Sequence, residues 1–150
     1  MARRFVIQRH QARALHYDFR LQVGHVLKSW AVPKNLSADP RVKRLAVQVP
    51  DHALAHADYE GPRVVIWDHG TWRPITKGSV RNALDEGHLS FWLEGEKLRG
   101  GWTLQRTGGG AKPQWLLIKR RDEGADARRN PVSTQPESVK SGRTIDGRGG

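Results

Sequence analysis

Apolar and polar residues alternate along several short stretches of the chain, a period-two pattern that indicates β-strands with one buried face. The alternation is clearest in "HYDFRLQV" and "RLAVQV". We predict further strands in stretches rich in β-branched and aromatic residues, namely "RRFVIQR", "VLKSWAVPK", "RVVIWDHGTWRP", "HLSFWLEGEKLRGGWTLQRT" and "QWLLIKRR". Two of these contain turn residues, so we predict hairpins that turn at Asp68-His69-Gly70 and near Glu94-Gly95-Glu96.

The remaining segments decide the fold class and the domain boundary. The stretch "SVRNALDEG" predicts a short helix that begins after Ser79 and ends at Gly87. After Arg121 the chain has almost no large apolar residues, so it cannot bury enough surface to offset the entropy of ordering. We therefore predict a mostly β fold over residues 1–121, a compact antiparallel β-barrel with one or two short helices. Residues 122–150 are predicted to be a disordered C-terminal tail or a flexible linker.

The charge of the chain indicates an anionic partner. Its 150 residues carry a formal net charge of +11, and such a field attracts polyanions, nucleic acid first among them. The chain has no cysteine, which excludes disulfides, thiolate catalysis and cysteine zinc sites. Neither a signal peptide nor an apolar run of membrane-spanning length is visible, so we expect a cytoplasmic monomer that does not bind membranes.

One predicted strand carries a row of polar groups opposite its apolar face. Residues two apart share a face of a strand, so His16, Asp18 and Arg20 point one way and the apolar residues between them point to the core. Solvated polar residues on a surface strand are the common explanation of a His-x-Asp pattern. His10 adds to the pattern, because a turn within "QARA" would return it to the side of His16.

Two imidazoles and one carboxylate would then form a three-ligand site with open coordination positions. Such a set suits Mn²⁺, Zn²⁺, Fe²⁺ or Co²⁺ and leaves room for water and a substrate oxygen. Arg20, next on the same face, is suited to hold a phosphate through two hydrogen bonds.

Two more histidines follow the strand "RLAVQV", within "PDHALAH". His52 comes directly after Asp51, which would orient its ring, and a histidine at a strand end can serve as a proton donor or a phosphate contact. An exposed loop position is the alternative for His52 and the more common situation for a residue such as His56.

Three classes of function fit these residues. Metal-assisted phosphoryl chemistry on a nucleic acid uses His10, the His16–Asp18 pair and Arg20, and it agrees with the charge. A non-haem iron oxygenase would use the same pair with a later histidine and Arg63, but it leaves His10 and Arg20 without a role. A non-catalytic nucleic-acid-binding module would need exposed aromatic residues for stacking. Four of the tryptophans instead lie mostly inside predicted strands: Trp30, Trp67, Trp92 and Trp115.

The chain resembles the phosphoesterase domain of bacterial DNA ligase D, the multidomain end-joining ligase, and the stand-alone relatives of that domain. The similar stretches are "FVIQRHQARALHYDFRL", "LKSWAVPKNLSADPRVKRLAVQVPDHAL", "VVIWDHGTW", "EGEKLRGGWTLQR" and "WLLIKRRDE", and "ESVKSGRTI" resembles the linker that follows the domain. The resemblance implies a β-barrel that processes 3′ ends in a metal-dependent reaction, removing a terminal ribonucleoside and then the 3′-phosphate. It also implies a place in DNA repair by non-homologous end joining.

The same resemblance implies roles for individual residues and partners. The expected partners are DNA or RNA 3′ ends, a DNA ligase or polymerase, and a Ku-type end-binding protein. The expected cofactor is Mn²⁺, with Zn²⁺ or Co²⁺ as alternatives. Arg20 and His52 are expected to hold the scissile phosphate, and His56 occupies a catalytic position where the family has a tyrosine. The expected metal ligands are His10, His16 and Asp18, and the positions matched as substrate-binding are Gln8, Lys34 and Arg44.

The chain departs from the family pattern around the expected site. A glycine-rich insertion that the family carries is missing, because "YEGPRVVIWDHG" joins the flanking parts directly. We also expect the N-terminal arm of the family, with an Arg-Asp pair near the phosphate, to be missing. A weakly active or non-catalytic module that binds nucleic-acid ends is therefore the alternative to an enzyme.

Overall fold

In a computed structural model, which describes residues 3–122 and 135–145, eight strands form a closed barrel. Their order around the barrel is β1-β2-β3-β4-β8-β7-β6-β5, and every adjacent pair is antiparallel. The antiparallel barrel predicted from the alternation is confirmed. The strands are β1 (Arg3–Gln11), β2 (Leu15–Val23), β3 (Val26–Val32), β4 (Lys43–Ala53), β5 (Val64–Pro74), β6 (His88–Gly95), β7 (Arg99–Gly108) and β8 (Gln114–Lys119).

Large side chains from alternate strand positions fill the barrel. In β2, Tyr17, Phe19 and Leu21 are all buried in this core, as their alternation predicts. The tryptophans predicted to be core are buried as well, except Trp92, which is half-buried. Because side chains fill the interior of a barrel of this size, a ligand site is expected on its outer face or at its ends.

The helical segments are short. The predicted helix is α1 (Val80–Glu86); the Ser79 hydroxyl accepts a hydrogen bond from the backbone N–H of Asn82, and Gly87 ends the helix with φ 82°. A 3-10 helix, Leu54–Asp58, follows β4 and contacts β1, β3 and β4. No helix within residues 3–122 and 135–145 has the length and hydropathy needed to cross a membrane.

The 3-10 helix lies on the side of the sheet that faces away from the main core. Its Ala57 packs with Val6, Leu27 and Ile66 in a second, smaller cluster. Val6 stands between Phe5 and Ile7 of the main core on β1, so its side chain points outward. The 3-10 helix therefore covers part of the outer face of the barrel, where the polar residues of β2 also point.

The predicted turn at Asp68-His69-Gly70 is wrong, because β5 runs through these residues to Pro74. Gly70 is needed for a different reason: a Cβ there would lie 1.9 Å from the carbonyl oxygen of Glu94 on β6. The fully buried carboxylate of Asp68 accepts hydrogen bonds from the backbone N–H groups of residues 69 and 96–98. Asp68 thus stabilises the β6–β7 turn, which lies where the sequence predicts it, after Gly95.

Residues 135–145 lie along the outside of the barrel, and we call this segment the strap. The backbone N–H of Val139 donates to the carbonyl oxygen of Ile66 at 2.9 Å, and Ser138 and Ile145 are buried. The buried Lys97 ammonium donates to the carbonyl oxygen of Gln135 at 2.7 Å. The boundary at residue 122 stays a prediction, and residues 123–134 and 146–150 of the predicted tail lie outside the described residues.

Candidate active site

The β1–β2 hairpin brings the first two histidines together. His10 and His16 are directly paired across the two antiparallel strands, and their ring centroids lie 4.8 Å apart. The predicted turn within "QARA" exists as the bend of this hairpin, over residues 12–14. Since His16 shares a strand face with Asp18 and Arg20, the hairpin places all four side chains on the outer face of the barrel.

Asp18 is the centre of this group. Its Oδ2 lies 3.4 Å from His10 Nδ1, and its Oδ1 lies 3.2 Å from His16 Nε2. Arg20 Nη2 approaches Oδ2 at 3.5 Å. The Asp18 and Arg20 side chains are only 11% and 5% exposed, whereas those of His10 and His16 are 34% and 22% exposed. The group is thus a pocket with a buried floor and two imidazoles at its rim.

The histidines and the carboxylate fit a divalent cation. One donor atom from each of His10, His16 and Asp18 lies within 4.8 Å of the other two, and no other set of three such residues in the described ranges does so. Two atoms bound to one ion at about 2.1 Å in tetrahedral geometry are about 3.4 Å apart, close to both imidazole–carboxylate separations. Two imidazoles and one carboxylate leave coordination positions open for water and an oxygen ligand.

The electrostatics keep the carboxylate ionised. Burial alone would raise the pKa of Asp18, but the hydrogen bond from His16 and the charge of Arg20 outweigh it, so the pKa is lowered. The same hydrogen bond raises the pKa of His16 against the opposing effect of burial. Asp18 therefore carries the negative charge that a cation ligand needs.

Arg20 is held in one orientation by three side chains. Its Nε donates to Gln8 Oε1 at 2.9 Å, and its Nη1 donates to Ser29 Oγ at 2.8 Å. The same Nη1 lies 3.0 Å from His52 Nδ1. Burial lowers the pKa of Arg20, opposed by the charge of Asp18. The contacts with Gln8, Ser29 and His52 thus fix the plane of the guanidinium, and Nη2 faces the carboxylate of Asp18.

Gln8 connects this arginine to the segment above it. Gln8 is fully buried, and its Nε2 donates to the carbonyl oxygens of His56 and Tyr59, both at 3.1 Å. The 3-10 helix is therefore tied to β1 directly over the site. The resemblance matches Gln8 to a position that lines the site and binds substrate. In the structure its side chain contacts Arg20 and the 3-10 helix segment, so Gln8 positions Arg20.

His52 and His56 border the site on the side of the 3-10 helix. Their ring centroids lie 4.6 Å apart, and the His56 ring stacks on Tyr59 at 5.2 Å with an interplanar angle of 14°. Burial, followed by the charges of Arg20 and His52, lowers the pKa of His56. The structure therefore brings both histidines beside Arg20, although they are far from it in the sequence.

Lys34 and Arg44 line a different pocket. Arg44 donates to the backbone and side-chain oxygens of Asn35 at 2.9 and 2.8 Å. Lys34 lines a pocket with Pro33, Lys43, Arg44 and Leu45, and none of the residues around Asp18 borders it. If these two residues bind substrate, they would contact a part of it that extends beyond the histidines.

Two residues near the site were missed by the sequence analysis. Ser29 reaches Arg20 because the two are paired between β2 and β3; once that register is known, strand alternation identifies Ser29. Tyr59 follows the 3-10 helix, and no periodic pattern in the sequence distinguishes it.

Comparison with known proteins identifies the family of this chain. Residues 8–106 match the family model described as the DNA ligase D 3′-phosphoesterase domain. The chain is 48% identical to the multifunctional non-homologous end joining protein LigD of Pseudomonas aeruginosa, over 95% of this chain and 18% of that protein. It is 38% identical to the multifunctional non-homologous end joining DNA repair protein LigD of Mycobacterium tuberculosis, over 79% and 16%. It thus spans less than a fifth of the length of these relatives. The chain belongs to the DNA ligase D 3′-phosphoesterase domain family.

Proposed function

We propose that the chain is a metal-dependent phosphoesterase that processes the 3′ ends of DNA or RNA. The observation that carries this proposal is the placement of the Arg20 guanidinium 3.5 Å from a carboxylate flanked by two imidazoles. A phosphoester suits this arrangement, because one of its oxygen atoms can bind a cation held by the imidazoles and another can accept a hydrogen bond from the arginine. The net charge of +11 favours a polyanionic substrate.

His10, His16 and Asp18 would hold the cation, which we propose to be Mn²⁺. When bound, such a cation polarises a phosphoryl oxygen and lowers the pKa of a bound water. The three residues contribute one negative charge in total, so the site keeps a net positive charge toward an anionic substrate. The exposed rim formed by the two imidazoles leaves the substrate access from solvent.

Arg20 would bind a non-bridging phosphate oxygen. Its Nε and Nη1 are occupied by Gln8, Ser29 and His52, so the guanidinium does not have to be ordered when substrate binds. Burial strengthens its interaction with a phosphate that gains charge in the transition state.

His52 would donate a proton to the leaving oxygen. His52 Nδ1 lies 3.0 Å from Arg20 Nη1, which can only donate, and 3.2 Å from the carbonyl oxygen of Pro50, which can only accept. In the tautomer that accepts from the shorter contact, the one with Arg20, the proton is on Nε2. An Nε2–H group beside a held phosphate has the position and chemistry of a general acid.

The test compares the wild type with Asp18→Asn and Asp39→Asn on labelled duplexes that end in a ribonucleotide or a 3′-phosphate. Asp39 is a matched control, since it is a mostly buried carboxylate that pairs with Arg41, away from the histidines. We expect Mn²⁺-dependent product from the wild type and the control, and a loss of about 100-fold or more for Asp18→Asn in a protein that still folds, as its circular dichroism spectrum would show.

Product formation in a chelator, or full activity of Asp18→Asn, would contradict the proposal. Binding of both duplexes without any product would favour the alternative of an end-binding module. The proposed place in non-homologous end joining, beside a ligase, a polymerase and a Ku-type protein, is tested by adding those proteins to the same duplexes and measuring joined product.

A further inference from the structure

Tyr59 presents an aromatic ring to solvent beside the proposed phosphate site. It is 46% exposed, and among the described residues only Leu45 is another large hydrophobic side chain with comparable exposure. An exposed aromatic ring is costly to leave in water and useful for binding flat ligands. The ring lies next to His56, so its exposed part borders the proposed site.

The Tyr59 ring is the outer end of a row of three rings that begins at Arg20. His52 contacts the guanidinium at 3.0 Å, His56 follows His52 at 4.6 Å between ring centroids, and Tyr59 follows His56 at 5.2 Å. The angle of 14° between the His56 and Tyr59 rings makes the outer pair nearly parallel. The His56 ring therefore stacks on one face of Tyr59, whose side chain nevertheless remains 46% exposed.

The ring is also held in place before any ligand binds. The Tyr59 backbone is fixed at both ends, since its carbonyl accepts from Gln8 and its N–H donates to the carbonyl oxygen of His56 at 3.1 Å. The hydroxyl end of the ring lies over Gly61, where an added Cβ would be 2.4 Å from the Tyr59 oxygen. Because no side chain stands at residue 61, the ring can lie flat there.

Cationic side chains of the strap flank this ring. Lys140 Nζ donates to the carbonyl oxygen of Asp58 at 2.6 Å. Arg143 Nη2 donates to the carbonyl oxygens of Gly61 and Val64, the latter at 3.0 Å. The sequence neighbours of Tyr59 are acidic, but Asp58 pairs with Arg4 and Glu60 accepts hydrogen bonds from Ser138 and from the backbone of Ile66. The two cations of the strap therefore remain available to a ligand that combines a flat ring with phosphates.

From this arrangement we propose that Tyr59 is a stacking platform for an unpaired nucleobase next to the reacting 3′ end. The proposal rests on the proposed function and specifies its substrate: the terminal or the adjacent base is splayed onto Tyr59 while the phosphate lies at Arg20. Stacking on an aromatic side chain does not depend on base identity. The site would therefore favour single-stranded or frayed 3′ ends over paired ends, without preference for sequence.

The test uses oligonucleotides with a single-stranded 3′ overhang that carries 2-aminopurine at the terminal or the adjacent position, whose fluorescence is quenched on stacking. Binding is measured in a chelator, so that it does not depend on catalysis. The proteins are the wild type, Tyr59→Phe, Tyr59→Leu and Tyr59→Ala. Matched oligonucleotides carry an abasic nucleotide at the same positions.

We expect quenching at one of the two positions with the wild type and Tyr59→Phe, and its loss with Tyr59→Leu and Tyr59→Ala. The last two should bind the base-bearing ends about 5- to 100-fold more weakly, the loss expected for one stacked base, and the abasic ends as the wild type does. Equal binding by all four proteins, or equal weakening on abasic ends, would overturn the platform. If no protein yields product with Mn²⁺ while the quenching persists, the proposed function fails and the platform stands.

Discussion

Gln8→Leu tests whether one buried amide holds the site together. Gln8 makes three hydrogen bonds, to Arg20 Nε at 2.9 Å and to the carbonyl oxygens of His56 and Tyr59 at 3.1 Å each. Leucine has a similar volume and makes none of them. A partner left without a hydrogen bond costs about 1–3 kcal/mol when buried, as Arg20 is, and less for the two partly buried carbonyl oxygens; burying leucine in place of an amide recovers part of the cost. We expect a net loss of about 3–5 kcal/mol, against a total stability of about 5–15 kcal/mol for a domain.

The assay is urea denaturation with hydrogen exchange on the 3-10 helix. Gln11→Leu on the same strand is the matched control, because Gln11 is also buried but its side-chain amide donates to the carbonyl oxygen of its neighbour Ala12, at 3.3 Å, and not to the 3-10 helix or to Arg20. We expect faster exchange at residues 54–59 in Gln8→Leu and wild-type exchange in the control. A loss below about 1 kcal/mol in Gln8→Leu would mean that Arg20 and the 3-10 helix do not depend on this amide.

Two further predictions concern pH and the strap. Because burial and neighbouring charges lower the pKa of His56, its protonation opposes folding, and stability should fall as the pH drops below about 6.5. Urea denaturation between pH 7.5 and 5 should show a smaller fall for His56→Tyr; parallel curves would contradict this. A chain ending at residue 134 lacks the buried Ser138 and Ile145 and should be less stable by about 2 kcal/mol than one ending at residue 145. Equal denaturation midpoints would show that the strap does not stabilise the barrel.

The parts of the fold that the sequence predicted are those that depend on local pattern. Strand alternation identifies which side of β2 is buried, so Asp18 and Arg20 could be placed on one face with no knowledge of the partner strands. The cap residue Ser79 and the terminating Gly87 are also local signals, and α1 lies between them as expected. His10 could be added because a short connection to His16 leaves few other arrangements.

The features that the sequence did not predict depend on contacts between distant segments. Asp68-His69-Gly70 has the composition of a tight turn, but the carboxylate serves backbone groups about 30 residues later, and Gly70 makes room for Glu94. Neither partner can be identified before the order of strands around the barrel is known. The same holds for Ser29, which reaches Arg20 through the β2–β3 register, and for Gln8, whose bonds end on the 3-10 helix.

The barrel separates the residues that provide stability from those that provide chemistry. Asp18 and Arg20 point away from the core, where side chains on a bare sheet would be in water, yet they are only 11% and 5% exposed. Asp18 lies between His10, His16 and Arg20, and Arg20 lies against Gln8, Ser29 and His52, so these neighbours replace water around both charges. In a shielded site a charge interacts more strongly with its partners, so these neighbours determine how strongly Arg20 would act on a phosphate. Substitutions in the core should therefore change stability with little effect on the site, whereas substitutions of these neighbours should change activity first.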